Sequence, residues 1–250
     1  MASPLLNLFL TRRIVLRFYL SMFKVLLWLE EITSTQDFIK ERKLPLWSVV
    51  VANKQTKGRG RLGRVWYSQE GGLYFSFSLP QGIRDENTLP LVLSNAVADY
   101  LRSLGYIPAI KWVNDVYLQG KKVCGVLTER LKDRIVVGMG INLNQESFPR
   151  DIEAISLKIV SGKDHDKVCF LLELLDYIES SIEKLSKDGF MVFKDIIEQR
   201  LLFKDSEVIL YTPHPVVGIL QGIDMDGSLL LMTQDGLKAF QVGEITLRAL

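Results

Sequence analysis

The apolar pattern of the chain changes at about Lys204, and this change constrains the fold more than any other feature of the sequence. After Lys204, short apolar stretches are separated by tight-turn signals such as Asp226-Gly227 and Asp235-Gly236, a pattern typical of small all-β barrels. Before Lys204, apolar residues recur at both helical and strand spacing. We therefore predict an α/β sheet domain over residues 22–203 and a small β domain over residues 204–250.

The spacing of apolar residues also predicts the individual elements. Ser34, followed three residues later by Asp37, predicts a helix N-terminus. Thr88 and Gly105 are interpreted as the N-cap and the end of a second helix. We also predict amphipathic helices over 171–185 and 190–201, and strands over 23–29, 47–53, 73–79, 109–112, 115–118, 121–128, 134–140, 207–211, 216–223, 228–233, 237–242 and 244–248.

The composition is that of a globular protein that folds without disulfides. Of the 250 residues, 48% are hydrophobic and 24% are charged, so a proper core can form. The formal net charge of +2 argues against nucleic acid as the main partner. The two cysteines, Cys124 and Cys169, and the two histidines, His165 and His214, argue against a zinc module and against His-based catalysis. We interpret the chain as a cytoplasmic protein with reduced cysteines.

Residues 1–21 contain no acidic residue, and Arg12, Arg13 and Arg17 interrupt their apolar runs. No run approaches the roughly 20 apolar residues that a membrane span requires, so no membrane span is predicted. The segment fits an Arg-rich targeting peptide or a short interfacial helix. We favour an extension before a natural start at Met22, because the later pattern begins cleanly there.

The segment Lys57–Trp66 places three glycines and three arginines between two predicted strands. The glycines would give a mobile loop whose backbone approaches a ligand closely, and the guanidinium groups would bind carboxylate or phosphate oxygens. A solvated basic loop and an RNA-binding Gly-Arg tract are the alternatives. The segment lies inside the fold and is followed by strand pattern, which disfavours the second alternative. The sequence therefore predicts an anion-binding loop.

A second segment contains Lys111 and Lys122, which bracket a hairpin with Gln119-Gly120 as its turn. The hairpin would bring both ammonium groups to one pocket, where they would stabilise charge on an ATP phosphate and on departing pyrophosphate. Asp115 would hold a lysine, bind Mg²⁺ through water or orient an incoming amine. Taken alone, this segment is explained better by turn chemistry with solvated lysines.

A third segment, Gly138–Asn144, begins like a dinucleotide-binding motif but lacks the third glycine and the following acidic residue, so we reject a Rossmann domain. Its glycines would let a nucleotide pack closely, with the Asn142 amide bonding a phosphate or a metal-bound water. The common motifs of P-loop NTPases, α/β-hydrolases and zinc metalloproteases do not occur, which excludes those classes as the sequence stands.

In this order and spacing, the three segments resemble the catalytic domain of biotin protein ligases. Gly58–Trp66 carries the most specific likeness, and Lys111–Gly125 resembles the family's K-W-P-N-D segment and the hairpin after it, with Val113 in place of the proline. Gly138–Asn142 resembles its G-x-G-x-N strand end, and Gly243–Arg248 resembles its closing G-E-[IV]-S-L-R. The resemblance implies a mixed sheet with helices, related to class II aminoacyl-tRNA synthetases, followed by an SH3-like β barrel.

The resemblance also implies residue roles. Biotin would be bound by Ser34, Thr35, Gln36, Gln55, Arg59, Gly60, Arg61 and Lys122. The nucleotide would be bound by Arg61, Trp66, Lys111 and Asn142. The catalytic groups would be Arg61, Lys111, Asp115 and Lys122, with Asp115 positioning the acceptor lysine. The exchange of proline for Val113 is expected to have a small effect, and the residue that packs against adenine stays open.

The implied activity is the conversion of biotin and ATP into biotinyl-5′-adenylate, followed by transfer to a lysine of a biotin carboxyl carrier domain, in acetyl-CoA carboxylase or a related enzyme. Mg²⁺ would accompany ATP, no bound prosthetic group is predicted, and the residues that bind the metal stay open. No DNA-binding domain is expected before the catalytic core, so operator binding is not predicted, and homodimer formation stays open. The alternatives are a lipoate-type acyl ligase and a non-enzymatic RNA-binding protein.

Overall fold

The computed structural model describes residues 22–212, 214–241 and 246–249, so the predicted extension over residues 1–21 lies outside the described residues. The strands are β1 (Val25–Ile32), β2 (Ser48–Gln55), β3 (Leu73–Leu79), β4 (Ala109–Lys111), β5 (Asp115–Leu118), β6 (Lys121–Arg130), β7 (Ile135–Ile141), β8 (Glu207–Tyr211), β9 (Val216–Ile223), β10 (Leu229–Thr233), β11 (Gly236–Phe240) and β12 (Thr246–Ala249). The helices are α1 (Thr35–Arg42), α2 (Leu89–Ser103), α3 (Leu157–Ser161), α4 (Lys167–Asp188) and α5 (Met191–Gln199).

The first seven strands form one mixed sheet in the order β1-β2-β3-β7-β6-β5-β4. β1 and β2 pair in parallel, and the remaining neighbours pair antiparallel. Side chains alternate between the two faces of a strand, so Val49 and Val51 join the large core that contains α2 and α4. Val50 instead packs with Ile39 of α1 in a second cluster. The mixed sheet with helices on both faces confirms the expected fold class.

The boundaries of β3 and β5 are those predicted, whereas β1 continues to Ile32 instead of ending at Leu29. The added residues include the exposed Glu30 and Glu31, and charged side chains are tolerated here because β1 is an edge strand. Apolar spacing alone therefore ends this strand too early.

The helix starts depend on side chains close in sequence. The Ser34 hydroxyl accepts a 3.4 Å hydrogen bond from the backbone N–H of Asp37, which confirms the predicted cap of α1. Thr88 is the N-cap residue of α2, but its hydroxyl donates to the Asp85 carbonyl and makes no cap hydrogen bond. The Thr88 side chain closes the preceding 3-10 turn instead.

The C-terminal strands form an antiparallel sheet in the order β11-β10-β9-β8-β12. β8 and β9 have the predicted bounds, while positions 242–245 of the last two predicted strands lie outside the described residues. The sheet is attached to the first domain by a shared apolar core, which includes Leu220 and Leu229. Polar contacts add to it: Trp112 Nε1 donates to the Gly227 carbonyl at 3.0 Å, and Ile223 N donates to Glu198 Oε1 at 2.9 Å. Among the residues described, no helix is both long and apolar enough to cross a membrane.

Candidate active site

A cavity of about 1020 Å³, including the space at its open mouth, lies between the start of α1, the end of β2, the loop after β2 and the strands β4 to β7. It brings together almost all the site residues that the sequence predicts. Its lining includes Ser34, Thr35, Gln36, Gln55, Arg59, Gly60, Arg61, Trp66, Lys111, Asp115 and Lys122.

The α1 end of the cavity is built from neutral polar side chains that bond to one another. Gln55 Oε1 accepts from both the backbone N–H and the hydroxyl of Thr35, at 2.9 and 3.1 Å. The Thr35 and Ser76 hydroxyls are 2.7 Å apart, and Gln55 Nε2 donates to Ser68 Oγ at 3.0 Å. Because each group has a partner, this end presents fixed donors and acceptors without a net charge.

Gln36 extends this neutral end across the sheet. Its Nε2 donates to the Leu127 carbonyl at 3.2 Å. A Cβ added at Gly138 would lie 2.7 Å from Gln36 Oε1, so this position requires glycine for the side chain to stay where it is. The glycine of the third motif therefore makes room for Gln36.

The floor beside this end carries the Trp66 indole. Gly125 of β6 and Gly140 of β7 face each other across the strand pair. A Cβ added at Gly140 would lie 2.4 Å from the Trp66 ring, and one added at Gly125 would lie 2.8 Å from it. Trp66 Nε1 is buried and has no hydrogen-bond partner in the part of the chain that the structure describes, so packing on the glycine pair holds the ring.

The opposite end is cationic. Lys122 Nζ lies 2.7 Å from Asp115 Oδ1 and 5.0 Å from the centre of the Trp66 ring. Lys111 Nζ lies 3.5 Å from the Tyr117 hydroxyl and 6.0 Å from the centre of the Phe203 ring. Lys111 ends β4 and Lys122 lies on β6 just after the β5–β6 turn, and both line one pocket, as the spacing predicts. Asp115 pairs with Lys122.

The arginine loop closes over this end as a short hairpin. Trp66 N donates to the Gly58 carbonyl at 3.0 Å, and Gly60 N donates to the Arg64 carbonyl at 2.7 Å. Arg61 Nη1 donates to Asn114 Oδ1 at 3.4 Å. Burial lowers the pKa of Arg61, with the Asp115 charge opposing that shift, yet a guanidinium stays protonated at neutral pH.

The charges of the lining identify the kind of ligand that the cavity accepts. Of the residues that the structure describes, the cations Arg59, Arg61, Arg64, Lys111 and Lys122 line it, together with one carboxylate, Asp115, and no histidine or cysteine. The site therefore suits an anionic ligand whose other end is neutral and polar, and its chemistry is electrostatic stabilisation of a reaction between bound groups.

Two predicted residues are placed differently from the expectation. Arg59 lines the cavity, but its guanidinium pairs with Asp37, which is not among the lining residues. Asn142 is buried and is not among the lining residues; its Nδ2 donates to the Lys122 carbonyl at 3.1 Å, and its Oδ1 accepts from Gln145. A direct role of Asn142 at the nucleotide stays a prediction, and its observed contact orients the backbone at Lys122.

The residue-by-residue predictions missed Ser76, Asn114 and Asp37. Ser76 occupies a small polar position of the alternating strand β3, a pattern that sequence alone cannot separate from an ordinary strand. Asn114 lies inside the second segment, Lys111–Gly125, and Asp37 directly follows the predicted site residues Ser34, Thr35 and Gln36. Their positions next to predicted site residues could have indicated that Asn114 and Asp37 belong to the site. The residues that they contact could not be predicted from the sequence.

The residues present offer little for a metal ion bound by protein alone. No group of three or more His, Cys, Asp or Glu side chains that could hold a metal ion occurs over residues 22–212, 214–241 and 246–249. In the cavity lining, Asp115 is already paired with Lys122. This donor set fits Mg²⁺ that is held mainly by nucleotide phosphates, with at most one carboxylate from the protein.

Comparison with known proteins identifies the class of this fold and cavity. Residues 28–146 match the Biotin/lipoate A/B protein ligase family, and residues 205–248 match the Biotin protein ligase C terminal domain. The chain is 36% identical over 239 residues to the bifunctional ligase/repressor BirA of Bacillus spizizenii, covering 89% of this chain and 74% of the relative. The chain therefore belongs to the biotin protein ligase family.

Two further relatives support the assignment. The structure of a biotin protein ligase from Aquifex aeolicus in complex with biotin and ATP superposes with a TM-score of 0.86 at 42% identity, covering 91% of this chain and 100% of the other. The biotin–[acetyl-CoA-carboxylase] ligase of Mycobacterium tuberculosis is 31% identical over 196 residues, covering 73% of this chain and 72% of the relative.

Proposed function

We propose that this cavity converts biotin and ATP into biotinyl-5′-adenylate and that the enzyme then transfers the biotinyl group to a lysine of a biotin carboxyl carrier domain. The observation that carries the proposal is the division of one cavity into a neutral polar end and a cationic end. Biotin has the matching form, with a neutral ureido ring system at one end and a carboxylate at the other. The family relationship and the names of the relatives support the same substrate.

In the first half-reaction, a biotin carboxylate oxygen would attack the α-phosphorus of ATP, and the bond to the pyrophosphate oxygen would break. Ser34, Thr35, Gln36 and Gln55 would hold the ureido end, with Ser76 beside them. Lys122 and Arg61 would meet the carboxylate and the α-phosphate, where their charges offset the negative charge that builds up in the transition state. Lys111 would stabilise the departing pyrophosphate.

Mg²⁺ bound to the phosphates would supply further charge neutralisation. Trp66 would pack against the nucleotide, and Arg59, Gly60 and Arg61 would close the loop over the adenylate. Exclusion of water matters because biotinyl-5′-adenylate is a mixed anhydride that hydrolyses readily. Loop closure would preserve it until the carrier arrives.

In the second half-reaction, the neutral amine of the carrier lysine would attack the carbonyl carbon of the anhydride. The carbon–oxygen bond to AMP would break, and the amine nitrogen would lose its proton. Asp115 is the carboxylate of the cavity, so it is placed to accept a hydrogen bond from the incoming amine. We further propose the cytoplasm as the compartment and the carrier domain of acetyl-CoA carboxylase or a related enzyme as the partner.

The test is ATP–pyrophosphate exchange with biotin, run beside lipoate and octanoate. Exchange that depends on biotin alone is the expected result for the first half-reaction. Transfer of biotin to a purified carrier domain would test the second half-reaction. Exchange with lipoate or octanoate instead would keep the chemistry and overturn the substrate. A chain that exchanges with none of the three acids but binds RNA in a salt-sensitive manner would overturn the enzymatic proposal.

A further inference from the structure

One arginine of the cavity lining, Arg59, pairs with a carboxylate that is not itself among the lining residues. Both Nη atoms of Arg59 donate to the carboxylate of Asp37, one to each oxygen, in a fork-to-fork arrangement. Asp37 lies in the first turn of α1, directly after Gln36. Such bidentate pairs fix direction as well as distance.

A second carboxylate and a second cation complete a small network. Lys40 Nζ lies 3.1 Å from Asp37 Oδ1 and 2.8 Å from Glu129 Oε2, and Arg59 Nη2 lies 3.7 Å from Glu129 Oε2. The four side chains are 21–32% exposed, so they are partly withdrawn from solvent. Two positive and two negative charges balance one another across the loop, α1 and β6.

The network lies between the base of the arginine loop and the first turn of α1. Arg59 stands at the root of the loop hairpin, where it forms a bridge with Val65, and Arg61 follows two residues later at the tip. α1, to which Arg59 is fastened, also begins with the residues of the neutral end. The Arg59–Asp37 pair therefore connects the arginine loop, which would close over the site, to α1, which carries the neutral end.

A ligand anion would have to compete with Asp37 and Glu129 for the Arg59 guanidinium. If Arg59 turned to a ligand, Lys40 would be left as the cation beside both carboxylates. Arg61 contacts Asn114 within the cavity lining and is better placed to meet an anion. The geometry therefore gives Arg59 a structural role and leaves Arg61 to meet the ligand.

We propose that Asp37, supported by Glu129, is a positioning residue that fastens the root of the arginine loop through Arg59, and so holds Arg61 over the adenylate. The proposal rests on the proposed function. It assigns Arg59 to retention of the intermediate and not to direct binding of substrate oxygens. Loss of the pair would leave adenylation largely intact and shorten the lifetime of the bound adenylate.

The test compares Asp37→Asn, Arg59→Gln and the double variant with Glu31→Gln as the matched control. Glu31 accepts from Lys54 at 2.8 Å in an ion pair between β1 and β2, away from the cavity lining. Each single variant is expected to release biotinyl-adenylate about tenfold faster, as loss of a charge-assisted pair predicts. The double variant is expected to be no worse than the singles, because all of them break one contact. Glu31→Gln is expected to match the parent enzyme.

Pyrophosphate exchange separates positioning from substrate binding. At saturating substrates, Asp37→Asn is expected to keep the maximal exchange rate within about threefold of the parent, and Asp37→Glu is expected to restore part of the retention. The proposal is overturned if Arg59→Gln loses exchange a hundredfold while Asp37→Asn does not, since Arg59 would then act on the substrate directly. Unchanged adenylate retention in Asp37→Asn would overturn it as well.

Limited trypsin digestion gives a readout that needs no substrate, so it distinguishes failure of this proposal from failure of the proposed function. Asp37→Asn keeps every arginine of the loop and is expected to be cleaved there several times faster than the parent and Glu31→Gln. Equal cleavage would contradict the fastening role even if biotin proved to be the wrong acid. Should Asp37→Asn fold poorly, Glu129→Gln removes the charge of the second carboxylate instead. It is expected to speed adenylate release and trypsin cleavage in the same direction but by a smaller factor.

Discussion

The two ends of the cavity are built on different physical principles. At the neutral end, Ser34, Thr35 and Gln36 are 2–4% exposed, and their polar atoms bond to neighbours on α1, β2, β3 and β6. At the cationic end, Lys122 and Asp115 are 27% and 19% exposed, and Arg61 is carried by a loop. One end is buried in the fold, and the other is assembled across the cavity mouth.

The difference between the two ends indicates that each has its own role in substrate binding and reaction. A network of fully partnered neutral groups keeps its geometry without ligand, which favours selection of one substrate. A set of paired cations on a loop and a hairpin can exchange protein partners for phosphate and carboxylate oxygens. We therefore expect substitutions at the neutral end to change biotin affinity and those at the cationic end to change rates and retention.

The largest expected effect is that of Lys122→Ala. Removal of the ammonium would take away charge stabilisation where the carboxylate meets the α-phosphate, so biotin-dependent exchange should fall by about 10²–10³ in kcat. The neighbouring Lys121 is exposed and absent from the lining, so Lys121→Ala is the matched control. Unaltered pyrophosphate exchange in Lys122→Ala would refute its assignment.

Arg61→Ala should mainly impair retention. Loss of the guanidinium at the cavity mouth is expected to speed adenylate release by about tenfold to a hundredfold and to lose most ligation to the carrier. Gel filtration of the enzyme–adenylate complex and single-turnover ligation measure the two effects. Lys57→Ala, an exposed change at the base of the same loop, serves as the control. Retention and ligation equal to those of the parent would contradict the closing role.

Two glycines on β7 offer a direct comparison of the ends. A Cβ at Gly138 would displace Gln36, whereas a Cβ at Gly140 would displace Trp66. Overpacking of this kind costs about 1–3 kcal/mol, so we expect Gly138→Ala to weaken biotin binding and Gly140→Ala to raise the KM for ATP, each by about tenfold. Calorimetry with biotin and exchange kinetics with ATP distinguish them. Equal effects of both variants on both ligands would show that the cavity does not divide in this way.

The smallest effect concerns acid stability. The Arg59 guanidinium lowers the pKa of Asp37 to about 2, with burial opposing and Lys40 adding to the shift. Because the folded-state pKa lies below its ordinary value of 3.8, the contribution is present above about pH 4 and is lost as the pH falls towards 2. After allowance for partial exposure, Asp37→Asn should lower the unfolding free energy by about 1–2 kcal/mol at neutral pH. Urea unfolding against pH checks this, and a difference that persists at pH 2 would contradict it.

Much of the fold could be predicted because its determinants are local. The alternation in β3, the turn residues of the β5–β6 hairpin and the Ser34 cap each act over a few residues, and all were placed correctly. The ends of β1 could not be predicted in this way, since its charged residues are tolerated only because the strand lies at a sheet edge. The order of the seven strands likewise depends on contacts between distant segments.

The candidate site shows the same difference between local determinants and contacts between distant segments. The sequence by itself determined which residue types are available, and the spacing of its motifs indicated that Lys111 and Lys122 bracket a hairpin and that a basic loop follows β2. Only the tertiary structure decided that Gln36 fills the space above Gly138, that Arg59 turns to Asp37, and that Asn142 bonds the Lys122 carbonyl. The physical reason is that a charged or amide side chain binds whichever complementary group the fold brings within about 3 Å, and that neighbour is set by packing between segments far apart in the chain.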